Sequence, residues 1–183
     1  MEQGPRPGDF LVADPRLTDP NFESSVVLIC EHNDECTLGL IVNRPIECAA
    51  ELLFEEQGWN EELQVYWGGP VCQETLHALH SGEAGLEMEA ATEVLPGLYF
   101  GGRMEDLIAA RDGGNAVRFF FGYAGWEPGQ LDGELQDGAW RVVGAQSEQV
   151  FSEECGKLWP KLMAKTDPSL AWMSRIPEDP SLN

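Results

Sequence analysis

The stretch Arg118-Phe119-Phe120-Phe121-Gly122-Tyr123-Ala124-Gly125-Trp126-Glu127-Pro128-Gly129-Gln130 decides how the chain is read. Residues 117–121 are aromatic-rich, a composition that predicts a strand. The glycines that follow predict a turn over residues 122–129, because glycine accepts backbone conformations closed to other residues. Such a glycine-rich segment invites comparison with phosphate-binding loops. A phosphate loop requires Lys and Ser/Thr after its last glycine, and a dinucleotide turn requires Gly-x-Gly-x-x-Gly. Neither pattern occurs here. The segment therefore reads as a close-packed turn that presents Trp126 and Gln130.

Working outward, the same patterning gives short elements of both kinds. Residues 10–13, 26–30, 38–42, 64–67, 75–79, 94–95, 98–100, 117–121 and 140–143 predict strands. Residues 26–30 and 38–42 flank the polar turn Asn33-Asp34-Glu35-Cys36 and read as a hairpin. Amphipathic spacing predicts helices over 46–57, 104–111, 130–136 and 153–165, the last with a break or a start near Pro160. Strands and helices alternate in no strict β-α order. The expected class is α+β, with a mixed or largely antiparallel sheet and several short helices. No repeat, linker or composition break divides the 183 residues. One domain spanning 1–183 follows, with 1–8 and 177–183 as extended tails.

Charge narrows the function. The chain carries 32 acidic and 11 basic residues, a net charge of −21. Such a field repels polyanions, and non-specific DNA affinity depends on Lys and Arg displacing counterions from phosphates. Lys157, Lys161 and Lys165 would share one helical face, but three charges are less than a nucleic-acid footprint needs. Direct nucleic-acid binding is not expected. The five cysteines are odd in number and lack Cys-x-x-Cys spacing. No apolar leader opens the sequence and no stretch approaches a membrane span. A cytoplasmic protein with free thiols, no membrane attachment and no cofactor or metal site is the expectation.

Several blocks then match a known family in order and spacing. They are Asp19-Pro20-Asn21-Phe22, Ser25-Val26-Val27, Glu31-His32 and Gly39-Leu40-Ile41-Val42-Asn43-Arg44-Pro45, then Gly68-Gly69-Pro70-Val71 with Leu79-His80. The third block is the Arg118–Trp126 stretch with Pro128-Gly129-Gln130-Leu131, Glu134 and Trp140. Together they resemble the AlgH/YqgE family over nearly the whole chain. One departure is Cys36-Thr37, where that family often has Gly-Ala. The resemblance implies an α+β cytosolic bacterial protein without a settled activity. Some members carry a transcriptional-regulator label from a link to alginate production, which for so acidic a chain implies an indirect role through a protein partner.

Site candidates come from strand ends and turns, where binding residues concentrate. His32 and His80 each follow an apolar strand. With Glu31 they read as a metal or acid–base set, the basis for a hydrolase, or else as two strand-end histidines bonded to backbone groups. His77 and His80, three apart in a strand, should face opposite ways. Arg44 leaves a strand before the stiff Pro45 and is suited to a carboxylate or phosphate fork, or to an ion pair or a carbonyl clamp. Gly69 permits close backbone approach to a ligand or a neighbouring strand. Trp126 is suited to anchoring a partner or to covering the core. No nucleophile elbow is present, and no catalytic residue is assigned. The leading expectation is a non-enzymatic binding module for a small anionic ligand or a protein partner, using His32, Asn43, Arg44, Gly69, His80, Trp126 and Gln130. Indirect regulation and a histidine-based hydrolase are the alternatives.

Overall fold

Residues 4–46, 65–83, 85, 89–170 and 172 are described by a computed structural model. The strands are β1 (Asp9–Ala13), β2 (Val26–His32), β3 (Thr37–Ile41), β4 (Pro45–Ile46), β5 (Val65–Trp67), β6 (Val71–Ser81), β7 (Ala91–Leu95), β8 (Leu98–Gly101), β9 (Val117–Trp126) and β10 (Trp140–Gly144). The α-helices are α1 (Met104–Asp112), α2 (Gln130–Gln136), α3 (Ser147–Val150) and α4 (Leu158–Thr166). The main sheet runs β10-β1-β2-β3-β9-β6-β8-β7. Short β4 and β5 join it through a parallel β5–β9 pairing; every other pairing among the described residues is antiparallel. The class is α+β, as the patterning required.

The apolar runs of β1, β2 and β3 lack polar alternation because both faces of the sheet are covered. Phe10, Val12, Leu28, Cys30 and Leu40 point to one side, where Leu79, Leu98 and Phe120 close over them and α4 adds Leu158, Leu162 and Met163. Leu11, Ala13, Val27, Ile29 and Ile41 point to the other side, beneath Leu17, Phe22 and the α2 residues Leu131 and Leu135. A third, smaller core lies where Leu107 of α1 packs on Val65, Ala78 and Phe119.

The structure corrects the sequence reading in five places. Residues 122–126 are not a turn: β9 continues to Trp126 and only the next few residues turn. The glycines serve a strand crossing instead. Gly122 has φ +68° and Gly69 has φ +154°. A Cβ at Gly122 would overlap the Gly69 carbonyl, and one at Gly69 would overlap the Tyr123 backbone. Second, β6 extends to Val71, with a four-residue irregularity between the Val71↔Tyr123 and Leu76↔Phe121 pairs. Third, Ile46 pairs with Val65 in β4 rather than opening a helix; the rest of the expected 46–57 helix lies outside the described residues. Fourth, the last helix begins at Leu158 after a 3₁₀ turn at Cys155–Lys157. Pro160 sits in its first turn, where a missing N–H leaves no bond unmade. Fifth, the N-terminal tail is docked from Pro5, which is buried. Gly8 N–H donates to Ile29 O at 2.9 Å, and its carbonyl accepts from Ala145 N–H at 3.1 Å. The expected 177–183 tail lies outside the described residues.

Candidate functional site

β9 organises the candidate residues because its two ends meet different neighbours. At its C-terminal end, Thr37 pairs with Trp126, and His32 pairs with Thr37 across the β2–β3 hairpin. His32 and Trp126 therefore lie on one row of the sheet, and Gln130 opens α2 four residues after Trp126. At its N-terminal end, Val117 pairs with His80. Nine residue steps of strand separate these ends, roughly 30 Å at ~3.3 Å per residue. His32 and His80 cannot share a proton or a metal across that span. The acid–base set of His32, His80 and Glu31 does not assemble.

Trp126 is buried, not an exposed anchor. Its indole lies edge-on to Trp140, with ring centroids 5.9 Å apart, and stacks on Phe22. Burying two indoles requires an acceptor for each N–H. Glu134 of α2 supplies both: one carboxylate oxygen accepts from Trp126 Nε1 at 2.8 Å and from Trp140 Nε1 at 2.7 Å. Its other oxygen accepts from Gln130 Nε2 at 2.9 Å. Gln130 in turn accepts from the Glu127 N–H through Oε1. Gln130 and Glu134, four apart in sequence, share one side of α2, but nothing in the sequence marks this bridging role. Two indoles without acceptors near a helical carboxylate were the available signal.

Asn43 and Arg44 are spent on the loop before β2. Asn43 Oδ1 accepts from Val26 N–H at 2.8 Å, and its Nδ2 donates to Ser24 O at 2.9 Å. Arg44 donates to the carbonyls of Asn21 at 2.8 Å and Glu23 at 2.7 Å, and its guanidinium lies over the Trp67 ring. Desolvation lowers the Arg44 pKa from its ordinary value, against the pull of Glu23 and Asp19. The carbonyl clamp is the arrangement found. Phe22, in this clamped loop, is also the ring that covers Trp126, so Arg44 and Trp126 serve the same side of the sheet. Gly69 belongs to the β9 crossing.

A cleft of about 360 Å³ opens between the β2–β3 turn and the turn into α2. His32, Asp34 and Thr37 line one wall; Glu127, Gly129 and Asp132 line the other. Its lining includes three carboxylates and no Lys or Arg. His32 is exposed, with Nδ1 2.7 Å from Thr37 Oγ1. The sequence signalled His32 but not Asp34, Glu127 or Asp132, because nothing in their spacing marks them as neighbours. Among the described residues no group of three or more His, Cys, Asp or Glu is placed to hold a metal ion. The basic stripe is partly neutralised, since Lys157 and Lys161 donate to the two oxygens of Glu154 at 2.6 and 2.7 Å.

This geometry sits in a chain whose residues 10–171 match a family model described as AlgH-like. The chain belongs to the AlgH-like family. A UPF0301 protein of Chlorobaculum tepidum is 39% identical over 185 residues, covering 97% of this chain and 96% of that one. A UPF0301 protein of Streptomyces avermitilis is 36% identical over 186 residues, covering 96% and 94%. Among solved structures, a crystal structure of a Corynebacterium diphtheriae protein superposes with a TM-score of 0.78 at 27% identity, covering 95% of this chain and 94% of that one. The solution structure of the Pseudomonas aeruginosa AlgH protein gives 0.69 at 28% identity, covering 98% and 100%. This AlgH-like member shares the family's α+β fold, and the family brings no defined reaction with it. Among the described residues no helix is long and apolar enough to cross a membrane.

Proposed function

We propose that this AlgH-like chain is a non-enzymatic interaction module that engages a basic segment of a protein partner. The cleft between the β2–β3 turn and α2 is the docking point. The observation that carries this reading is the cleft's lining: three carboxylates, one imidazole and no cationic side chain. A carboxylate or phosphate ligand would meet like charge there, whereas Lys or Arg side chains gain favourable pairing and steering from the net charge. Arg44, the residue best suited by sequence to an anion, already donates to backbone carbonyls. Regulation through such a partner, without DNA contact, fits the same surface. The reading places the protein in a reducing cytoplasm, in keeping with free thiols at Cys30, Cys36, Cys72 and Cys155.

The test is a titration of isotopically labelled protein with a short Lys/Arg-rich peptide and, separately, with its Glu/Asp-rich counterpart. Amide shifts confined to residues 32–37 and 127–132 are expected for the basic peptide only. They should weaken with salt and vanish in the Asp34→Asn, Glu127→Gln, Asp132→Asn triple variant. Diffuse shifts over the whole acidic surface, or equal binding of the acidic peptide, would overturn the reading.

A further inference from the structure

The main sheet ends in β7 on one side and β10 on the other, and the two edges are finished differently. β7 is irregular between Glu93 and Leu95, carries a carboxylate, and is followed by Pro96. The N-terminal segment packs on it so closely that a Cβ on Gly8 would overlap the Val94 carbonyl. Irregularity, charge and cover are the usual protections of an edge strand. β10 is built without the first two. Its register with β1 runs unbroken from Asp9↔Gly144 to Ala13↔Trp140. Residues 138–147 include no acid, in a chain that has 32. Their one charged side chain, Arg141, donates to Asp14 at 3.2 Å.

Cover is also missing over part of the strand. Asp14 N–H donates to Ala139 O, and Ala145 N–H donates to Gly8 O. Hydrogen-bonded pairs recur at every second residue, so Ala139, Arg141, Val143 and Ala145 turn their main-chain groups toward β1. Trp140, Val142 and Gly144 turn theirs outward. Trp140 is buried, but Val142 and Gly144 are exposed. No described residue bonds to the outward N–H or C=O of either. Val142 is 41% exposed, one of two large apolar side chains so placed among the described residues. Gly144 lies two residues on, on the same face of the sheet. A Cβ there would meet only Asp9 Oδ1, at 4.0 Å. The open edge therefore carries a projecting side chain and, next to it, an empty position.

We propose that the β10 edge pairs with the β10 edge of a second copy of the chain, antiparallel and about a two-fold axis at Val143. That register sets Val142 of each copy opposite Gly144 of the other. The projecting side chain then lies beside the empty position, and the facing residues exchange both N–H···O bonds. A charged strand from another protein matches this edge less well. An acidic one adds repulsion to a net charge of −21, and a basic one finds no carboxylate in residues 138–147. A second copy brings a neutral edge to a neutral edge. Its like net charge acts from farther away, where salt screens it. Association therefore strengthens with salt, the reverse of basic-peptide binding at the cleft.

Sedimentation equilibrium of the full chain, from micromolar to millimolar concentration at low and high salt, should show a monomer–dimer equilibrium that moves toward dimer as salt rises. Amide exchange followed by NMR over the same range locates the contact. Val142 and Gly144 should exchange fast when dilute and slowly when concentrated, while Arg141 and Val143 stay protected throughout. Val142→Pro removes an outward N–H that makes no bond within the chain, a change an edge strand tolerates. It should weaken the dimer at least about tenfold, the loss of one hydrogen bond from each copy. Val142→Glu keeps that N–H but sets a carboxylate against the other copy, and should weaken the dimer even if the proline variant fails to fold. A monomer at every concentration in high salt would overturn the proposal. So would a dimer whose Val142 and Gly144 amides still exchange freely, or one that dissociates as salt rises.

Discussion

The two ends of β9 treat buried polar groups in opposite ways. At Trp126, both indole donors reach one carboxylate oxygen of Glu134, and Gln130 completes its other oxygen. At Val117, the nearby imidazoles of His77 and His80 each leave Nε2 buried without a partner among the described residues. A satisfied network holds elements together and gives nothing to a ligand. An unsatisfied one costs stability. The residues that looked most like a site at the first end, Trp126 and Gln130, are bound into scaffold.

The strongest way to break this contrast is to disturb the crossing that keeps the ends apart. Gly122→Ala adds a methyl where the Gly69 carbonyl already sits, at a backbone conformation alanine resists. A loss of about 3 kcal/mol is expected, read as a lower urea midpoint. Glu134→Ala tests the satisfied end. It strands two indole N–H groups and should cost about 2–3 kcal/mol, with Glu134→Gln recovering part of it. A cost below about 0.5 kcal/mol would show that the carboxylate is not the bridge described. Asn43→Ala removes both clamps on the Ser24–Val26 backbone and should cost about 2 kcal/mol in the same assay.

The unsatisfied end is sharpened by pH. Burial lowers the folded pKa of His77 and His80 below the ordinary value of 6.5. The unfolded chain therefore binds more protons just below that pH. Stability from these two groups is fully present above about pH 6.5 and is lost as pH falls through their folded pKa values. Melting temperatures across pH 5–8 should show this decline, and His80→Phe should flatten it. At the small extreme, His32→Ala removes one exposed contact to Thr37 and should change stability by no more than about 0.5 kcal/mol. A larger loss would assign His32 a structural role that its exposure argues against.

How far the sequence reached depended on the range of the interaction. Local patterning placed β2, β3, α1, α2 and β10 within a residue or two. It failed at Gly122–Trp126, because a glycine required by a backbone crossing has the same local signature as one required by a turn. Only the positions of Gly69 and Gly122 in space separate the two cases. The candidate site behaved the same way. The opposite orientation of His77 and His80 follows from strand period alone, and it holds: His77 stacks on Phe100 and meets Tyr123, while His80 stacks on Tyr99. The gathering of Asp34, Glu127 and Asp132 depends on the Thr37↔Trp126 pairing of two strands far apart in the chain.

One pairing sets a schedule for how the chain is made. β1 is flanked by β2 and β10, and its Ala13 lies opposite Trp140. During synthesis at ~5–20 residues per second, the apolar edge Asp9–Ala13 waits on the order of ten seconds for its second neighbour. Throughout that interval it is an open template for pairing with another chain. Nascent chains stalled before Trp140 should be captured by a strand-binding chaperone, and chains stalled well beyond Gly144 should not. The last strand of the sheet is thus also the cover that ends the first strand's exposure.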